Sequence, residues 1–206
     1  MAQKRSGETT YKETSFGIIS RSELIPLEIE GIKKAWDFVL KKSTRGNIPF
    51  TPAFLRKVHE VGFAWIFPKM GGKFRQIEVS VSHHLPPKPY AIPQLMEDFT
   101  LDLKMRLKHL PSTDEQNFLK ELICLLAWAH HRFLWIHPFT DYNGRIARLL
   151  NNIILLNLNL PPLELKVETT KGRKRYIEAL QKADQADFTK LEKIFEAGLR
   201  ESVKNW

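Results

Sequence analysis

Apolar residues recur at helical spacing along most of the chain, and this pattern predicts a mainly helical protein. Between Gly31 and Lys42, apolar positions 32, 35, 36, 39 and 40 share one helix face. Thr51-Pro52 is typical of an N-cap followed by proline at the first helical position, and it opens a helix predicted to reach about Phe63. Further helices are predicted over 92–107, 112–135, from 143 to before 161, 173–182 and 188–203. The 112–135 helix is apolar on most sides, so it is expected to lie at the centre of the fold.

Only the stretch from Phe74 to Ser82 alternates apolar and polar residues convincingly, which predicts a single short β-hairpin. The proline-rich connector over 85–89 cannot be helical. Residues 1–20 are polar and show no clear period, so they are interpreted as a mobile N-terminal arm. The predicted architecture is all-α, a helical bundle with one small β-hairpin, in a single domain over 21–206.

Composition narrows the class of protein. The chain has 206 residues and a formal net charge of +9, from 32 Lys+Arg against 23 Asp+Glu, which favours an anionic partner without choosing one. The single cysteine, Cys124, excludes an internal disulfide and any multi-cysteine metal site. No apolar stretch reaches the ~20 residues that a membrane span needs, and the first residues show no apolar signal segment. These features predict a cytoplasmic protein that is not in a membrane.

The segment from His137 to Arg148 carries the polar groups that suit phosphate chemistry. It joins two apolar helices, so core packing does not explain its composition. Asn143-Gly144 starts the second helix, whose free N–H groups and dipole favour an anion, and Arg145 and Arg148 share a face beside that end. An aspartate suits magnesium and a histidine suits general-base work near neutral pH. The segment therefore predicts phosphoryl or nucleotidyl transfer.

The same twelve positions resemble the signature of Fic-domain proteins, His-Pro-Phe-x-Asp/Glu-Gly-Asn-Gly-Arg-x-x-Arg, and depart from it only at Tyr142. Similar flanking residues extend the resemblance over roughly 50–200. The run Gly72-Lys73-Phe74-Arg75 resembles the start of the family's flap hairpin. The resemblance implies a Fic fold, a bundle with a hairpin flap. It also implies transfer of AMP from ATP to a Tyr, Thr or Ser hydroxyl of a target protein, in a family whose members are often bacterial.

Roles for individual residues follow from the resemblance. His137 would deprotonate the target hydroxyl, and Asp141 would hold Mg²⁺ against the ATP phosphates. The flap over 79–82 would cover the nucleotide and align the target by strand pairing. The remaining carried-over residues are the anion-hole amides of Tyr142, Asn143 and Gly144, the phosphate ligands Arg145 and Arg148, the flap residues Val79, Ser80, Val81 and Ser82, and the adenine-pocket residues Tyr176 and Asp184.

Tyr142 stands where the family has glycine. A tyrosine keeps its backbone N–H, but it adopts positive φ at a cost, and its ring is expected to stack near the nucleotide or narrow the mouth. Transfer of phosphate or UMP and an inactive remnant therefore remain open. So does a basic, non-catalytic module that binds nucleic acid or protein, although nucleic-acid binding does not need the intact His137, Asp141 and Arg145 set.

Regulation is the last prediction from the sequence. Many Fic proteins carry an inhibitory helix with Ser/Thr-x-x-x-Glu-Gly/Asn, whose glutamate pairs with the second arginine of the signature. Glu30-Gly31 fits the second half of that motif, while Pro26 occupies the Ser/Thr position. Two hypotheses follow: Glu30 pairs with Arg148, or Glu30 belongs to an ordinary amphipathic helix and a separate, antitoxin-like protein supplies the glutamate. The resemblance also implies a homodimer as one of the chain's assemblies.

Overall fold

The computed structural model describes residues 10–43, 48–81, 84–167 and 169–204 of the chain. Within these residues the fold is helical apart from one two-stranded antiparallel sheet, as the fold class predicts. The elements are β1 (Tyr11–Thr14), β2 (Gly17–Ser20), α1 (Arg21–Ser43), α2 (Pro52–Phe63), α3 (Ile92–Lys108), α4 (Phe118–Ile136), α5 (Asn143–Asn157), α6 (Thr170–Ala183) and α7 (Thr189–Lys204). No helix among these residues is long and apolar enough to span a membrane.

Helix α4 lies at the centre, as its apolar sequence predicts. It packs against α3, α5 and α7, and residues from every helix join one continuous hydrophobic core. Its predicted start is wrong: Ser112 and Glu115 form the expected bond, with the Ser112 N–H 2.7 Å from the glutamate Oε1, but the helix begins only at Phe118. Residues 112–117 form turns before it, so the capping pair closes a turn instead of starting the helix.

The other predicted helices are present, with shifted ends. Helix α2 begins after the N-cap Thr51, whose hydroxyl accepts a hydrogen bond from the Phe54 N–H, and Pro52 is its first residue. Helix α1 is much longer than predicted, because it runs through Pro26 and begins at Arg21. Pro26 is the sixth residue of this helix and lies past the first turn, so it removes one i→i−4 backbone donor while the helix continues through it.

The position of the β-hairpin differs from the prediction. Residues 74–80 form no strand, and among the described residues of this stretch only an isolated bridge joins Val81 to His84. The hairpin is instead β1–β2, with Tyr11 opposite Ser20, so the interpretation of 1–20 as an arm is wrong for 11–20, and 1–9 lie outside the described residues. The Ser15 N–H donates to the Ile66 carbonyl at 2.9 Å and so ties this hairpin to the loop after α2.

Helices α1 and α2 make the closest helix crossing near the site. A Cβ added to Gly31 would lie 2.3 Å from the Gly62 carbonyl oxygen, so only glycine allows this approach. The crossing brings the first half of α1 beside the start of α5, where the polar segment lies.

Candidate active site

His137 ends α4 in a left-handed conformation, with φ 50° and ψ 59°. Its Nδ1 lies 3.3 Å from the Leu134 carbonyl oxygen. A carbonyl only accepts hydrogen bonds, so Nδ1 carries the proton of the neutral ring and the lone pair is on Nε2. Burial lowers the pKa of His137 below its usual value of 6.5, against the opposing effect of the Leu134 carbonyl. The ring is therefore a neutral base at physiological pH, which fits its predicted role.

The loop after His137, residues 138–142, is held by the side chain of Asn143. The Asn143 Oδ1 accepts from the Phe139 N–H at 2.9 Å, and its Nδ2 donates to the Phe139 carbonyl at 2.7 Å. Asn143 is 2% exposed, so its side chain serves to fix the loop and is not available to a ligand. We call residues 137–142 the motif loop below.

A second buried side chain, His59 of α2, also holds the motif loop. Its Nδ1 accepts from the Gly72 N–H at 2.9 Å, so Nε2 carries the proton and donates to the Asp141 carbonyl at 3.2 Å. The ring stacks on Phe139 with centroids 3.9 Å apart. Burial lowers the pKa of His59 to about 4, so the ring is neutral and keeps this tautomer.

Helix α5 begins at Asn143 and presents an anion site of two amides. The backbone N–H groups of Asn143 and Gly144 meet no acceptor among the described residues. The Tyr142 N–H donates to the Asp141 Oδ1 at 2.7 Å, so the prediction that it forms a third member of the hole is wrong in this conformation. Arg148 reaches back over this end, since a Cβ on Gly144 would lie 3.7 Å from its Nη1. It forms no ion pair within the described part of the chain.

Tyr142 adopts the left-handed conformation of the glycine that it replaces, with φ 67° and ψ 10°. That conformation costs about 1–2 kcal/mol for a residue with a Cβ. Its ring is 6% exposed and stacks on Phe63 at a centroid distance of 3.9 Å with planes 6° apart, which offsets the cost. The expectation that the ring stacks near the nucleotide or narrows the mouth is therefore wrong, because the ring fills the core between α1 and α2.

The carboxylate of Glu28, on α1, is almost fully buried, with 1% of the side chain exposed. Its Oε1 accepts from the Tyr142 hydroxyl at 3.0 Å and from Arg21 Nη1 at 2.7 Å. Its Oε2 lies 2.5 Å from Arg145 Nη2. Arg145, predicted to bind phosphate, is therefore occupied by a carboxylate, while its buried Nη1 has no partner in the described part of the chain.

Glu30 does not take the position predicted for it. It is exposed and forms no ion pair with Arg148, so that prediction is wrong. The buried stripe of α1 runs through Leu24, Glu28 and Gly31, and Glu30 lies about 200° around the helix from Glu28. Gly31 follows Glu30 because the crossing with α2 requires glycine, so packing explains the half motif.

Asp141 is the residue whose donor set suits a metal. Its Oδ2 lies 2.5 Å from Lys12 Nζ, which the β1–β2 hairpin brings over the motif loop. The two side chains are 39% and 41% exposed, so the lysine can be displaced by a stronger cation. Among the described residues, no group of three or more His, Cys, Asp and Glu side chains is placed to hold a metal ion by itself. One carboxylate beside an anion site fits Mg²⁺ carried on a nucleotide, which needs few protein ligands.

The remaining predicted site residues are those of the flap and of the adenine pocket. Val79 is half-buried and Ser80 is exposed, and Ser82 lies outside the described residues. Tyr176 is buried with its hydroxyl 2.6 Å from His130 Nε2, and burial raises its pKa to about 12, so it belongs to the core. Asp184 is 2.9 Å from His131 Nε2 at the end of α6. The structure therefore gives Tyr176 no open face for an adenine.

Comparison with known proteins agrees with the geometry. The model of the Fic/DOC family matches residues 49–155, over half of the chain. The chain belongs to the Fic/DOC family. It is 31% identical over 187 residues to a protein named Protein adenylyltransferase Fic from Culex quinquefasciatus, covering 91% of this chain and 34% of that protein. The chain thus spans about a third of the curated relatives it matches.

Solved structures of Fic proteins share the fold. Fic-1 from C. elegans superposes with a TM-score of 0.69 at 25% identity, covering 86% of this chain and 49% of that one. BepC from Bartonella tribocorum, solved with bound AMPPNP, superposes with a TM-score of 0.67 at 19% identity and covers 94% of each chain, which shows the fold alone. These likenesses confirm the predicted helical architecture, and the match to the family model confirms the predicted family.

Proposed function

We propose that the chain is a protein adenylyltransferase, which transfers AMP from ATP to a hydroxyl group of a target protein. The carrying observation is a neutral histidine with a free Nε2 lone pair beside a helix end that presents two open amides. The curated relatives carry that activity in their names. ATP is therefore the proposed co-substrate, and a Tyr, Thr or Ser hydroxyl the proposed acceptor.

The proposed chemistry uses groups of the motif loop and of the start of α5. Nε2 of His137 accepts the proton of the target hydroxyl, whose oxygen bonds to the α-phosphorus of ATP while the bond to the β-phosphate breaks and pyrophosphate leaves. The Asn143 and Gly144 amides and Arg148 bind phosphate oxygens. Asp141 is the proposed ligand of Mg²⁺, which when bound neutralises charge on the phosphates.

The structure also bears on the proposed partners. The carboxylate against Arg145 comes from α1 of the same chain. We therefore propose intramolecular inhibition through Glu28 in place of a separate inhibitory protein, with a homodimer remaining a prediction.

The test of the transfer reaction uses ATP labelled on either the α- or the γ-phosphorus, with the purified chain and a cell lysate. Adenylyl transfer labels protein only from the α-position, whereas phosphate transfer labels only from the γ-position. Labelled UTP tests for UMP transfer. The His137→Ala variant is expected to lose labelling by roughly 10²–10⁴-fold, the usual contribution of a general base.

The matched control is His109→Ala, which changes an exposed histidine at the end of α3. It is expected to label as the wild type does. Because His137 is neutral above its lowered pKa, the acid limb of the labelling rate is expected below pH 6.5. Wild-type protein that neither binds Mg²⁺-ATP nor becomes labelled, yet binds DNA in a salt-sensitive manner, would favour the basic binding module instead.

A further inference from the structure

Arg75 carries a buried guanidinium group that has no carboxylate partner within the described residues. Its side chain is 1% exposed, the largest of the fully buried side chains. The donors reach only backbone carbonyls, and the Arg75 N–H donates to the Pro138 carbonyl at 2.9 Å. The side-chain bonds are Nε to His137 O at 2.8 Å, Nη1 to Ile77 O at 2.9 Å, Nη2 to Pro87 O at 2.6 Å and Nη2 to Ile136 O at 3.5 Å.

These acceptors come from two segments that the proposed reaction must bring together. Ile77 and Pro87 lie on either side of residues 79–82, which the sequence predicts to cover the nucleotide. We call the described residues of this stretch, 77–81 and 84–87, the flap segment. Ile136 is the last residue of α4, and His137 is the first residue of the motif loop. A single planar group with five fixed donors therefore joins the flap segment to the residue that carries the base.

Burial of an unpaired cation is expensive, and a neutral apolar side chain could fill the same space more cheaply. The His137 backbone needs a restraint, because its left-handed conformation is unfavourable for a residue with a Cβ. In that conformation the His137 carbonyl leaves the helical direction and accepts from Arg75 Nε at 2.8 Å.

We propose that Arg75 is a positioning residue for the proposed transfer reaction: it fixes the backbone of His137, and through it the imidazole, and holds the flap segment to the same point. This inference rests on the proposed function, because a histidine that does no chemistry would need no such restraint. Arg75 acts through His137 and the flap segment and does not itself contact the reacting atoms.

The charge of Arg75 also bears on the protonation state of His137. Burial is the largest cause of the lowered pKa of His137, and the positive charge of Arg75 lowers it further. His84, which forms the isolated bridge with Val81, acts in the same direction, while the Leu134 carbonyl and Asp141 raise the pKa. Loss of Arg75 therefore both loosens the ring and removes a nearby cation, and each change raises the pKa of His137.

The experiment compares Arg75→Met, which removes charge and donors, with Arg75→Lys, which keeps a cation but has no planar fork to reach four carbonyls. The first readout is the pKa of His137 from imidazole NMR titration, assigned by the signal that disappears in His137→Gln. Arg75→Met is expected to raise this pKa by about half a unit or more, with Arg75→Lys between it and the wild type. This readout needs neither substrate nor activity.

The second readout is steady-state labelling from α-labelled ATP. Arg75→Met is expected to lower kcat roughly 100-fold with little change in the KM for ATP, because a misplaced base affects the transfer step more than nucleotide binding. The matched control is Leu103→Ala, a fully buried residue of α3 away from the motif loop, assayed at a temperature at which every variant remains folded by circular dichroism.

The control separates positioning from loss of stability. Leu103→Ala is expected to keep the wild-type pKa of His137 and most of the wild-type kcat. An unchanged His137 pKa in both Arg75 variants, with a kcat no lower than that of Leu103→Ala, overturns the proposal. If Arg75→Met does not fold, Arg75→Lys decides by the same two readouts. Wild-type protein that transfers no AMP overturns the proposed function, while the NMR titration still decides what Arg75 does to His137.

Discussion

The motif loop and the N-terminal segment meet in one site, but different forces hold them there. Bonds of buried, neutral side chains to the backbone fix the loop: the amide oxygen and the amide nitrogen of the Asn143 side chain and both ring nitrogens of His59 are used. The N-terminal segment instead reaches the loop through charges, with Lys12 on Asp141 and Glu28 on Arg145, each more than a hundred residues apart in the chain. The difference indicates that the motif loop is rigid, whereas the N-terminal segment, from β1 through the first half of α1, is held to it by charge pairs.

The largest expected effect concerns the loop's buried histidine. The pKa of His59 is about 4 in the folded protein and near 6.5 in the unfolded chain. Between these values the unfolded chain binds a proton that the folded protein does not, so stability falls as the pH falls from 6.5 to 4. The loss attributable to His59 is on the order of 3 kcal/mol.

Urea unfolding measured from pH 7 to pH 4.5 checks this prediction. His59→Gln is expected to lower stability at pH 7, because the Gly72 and Asp141 groups lose a well-placed partner, yet to show a shallower fall with acid. His109→Gln, a change at an exposed ring, is expected to keep the wild-type slope. An identical slope in His59→Gln would contradict the buried neutral state of His59.

The second prediction concerns the pair between Glu28 of the N-terminal segment and Arg145. Glu28→Gln keeps a hydrogen-bond acceptor for Tyr142 but removes the charge that holds Arg145. A hydrogen bond to a charged group contributes about 1.5–3 kcal/mol, so freeing Arg145 for phosphate is expected to raise automodification roughly 10- to 100-fold. The measurement is the initial rate of self-labelling from α-labelled ATP.

Glu30→Gln is the matched control, because it changes the same residue type two positions along the same helix, on the exposed side. It is expected to label at the wild-type rate. Equal rates in Glu28→Gln and the wild type would show that the pair with Arg145 does not restrain the reaction. A rise in Glu30→Gln alone would restore the interpretation drawn from the half motif.

The comparison of the two regions also explains what the sequence could predict. Residues 137–148 are contiguous, so their types and spacing indicate a base, a metal ligand and an anion site directly. Glu28 and Lys12 reach the site only through tertiary packing, the first because Gly31 lets α1 approach α2. A single sequence contains no local signal for such contacts. The prediction that Glu30 pairs with Arg148 is wrong because Leu24 and Gly31 define the buried face of α1, and Glu30 lies on the opposite side.

Two buried polar residues, His59 and Arg75, show a second limit. Polar residues in amphipathic or alternating patterns are expected to face solvent, yet both are at most 1% exposed. Only the neighbouring residues in the sequence indicate that these two are buried. Arg75 belongs to the family-like run that begins at Gly72, and His59 lies among the inward-facing positions of α2. The burial of a charged or polar group can be predicted only when its hydrogen-bond partners are known. Here those partners are backbone carbonyls and amides.

The smallest expected effect concerns Lys12, whose ammonium group lies on the carboxylate proposed to bind Mg²⁺. Both side chains are about 40% exposed, and such pairs contribute only about 0.2–1 kcal/mol. Mg²⁺ must displace Lys12 to reach the Asp141 Oδ2. Lys12→Gln is therefore expected to lower the Mg²⁺ concentration for half-maximal labelling by roughly two- to fivefold.

The control for this last prediction is Lys69→Gln. It removes an exposed lysine whose Nζ lies 3.9 Å from the carboxylate of Glu13, a residue of the same β1–β2 hairpin as Lys12. This variant is expected to leave the Mg²⁺ requirement unchanged. The direction of the Lys12 effect separates two roles that the structure allows for a cation over the motif loop. If Lys12 competes with the metal for Asp141, its removal makes Mg²⁺ bind more tightly. If Lys12→Gln instead raises the Mg²⁺ requirement and the KM for ATP together, Lys12 binds phosphate alongside the metal, and the hairpin is part of the nucleotide site.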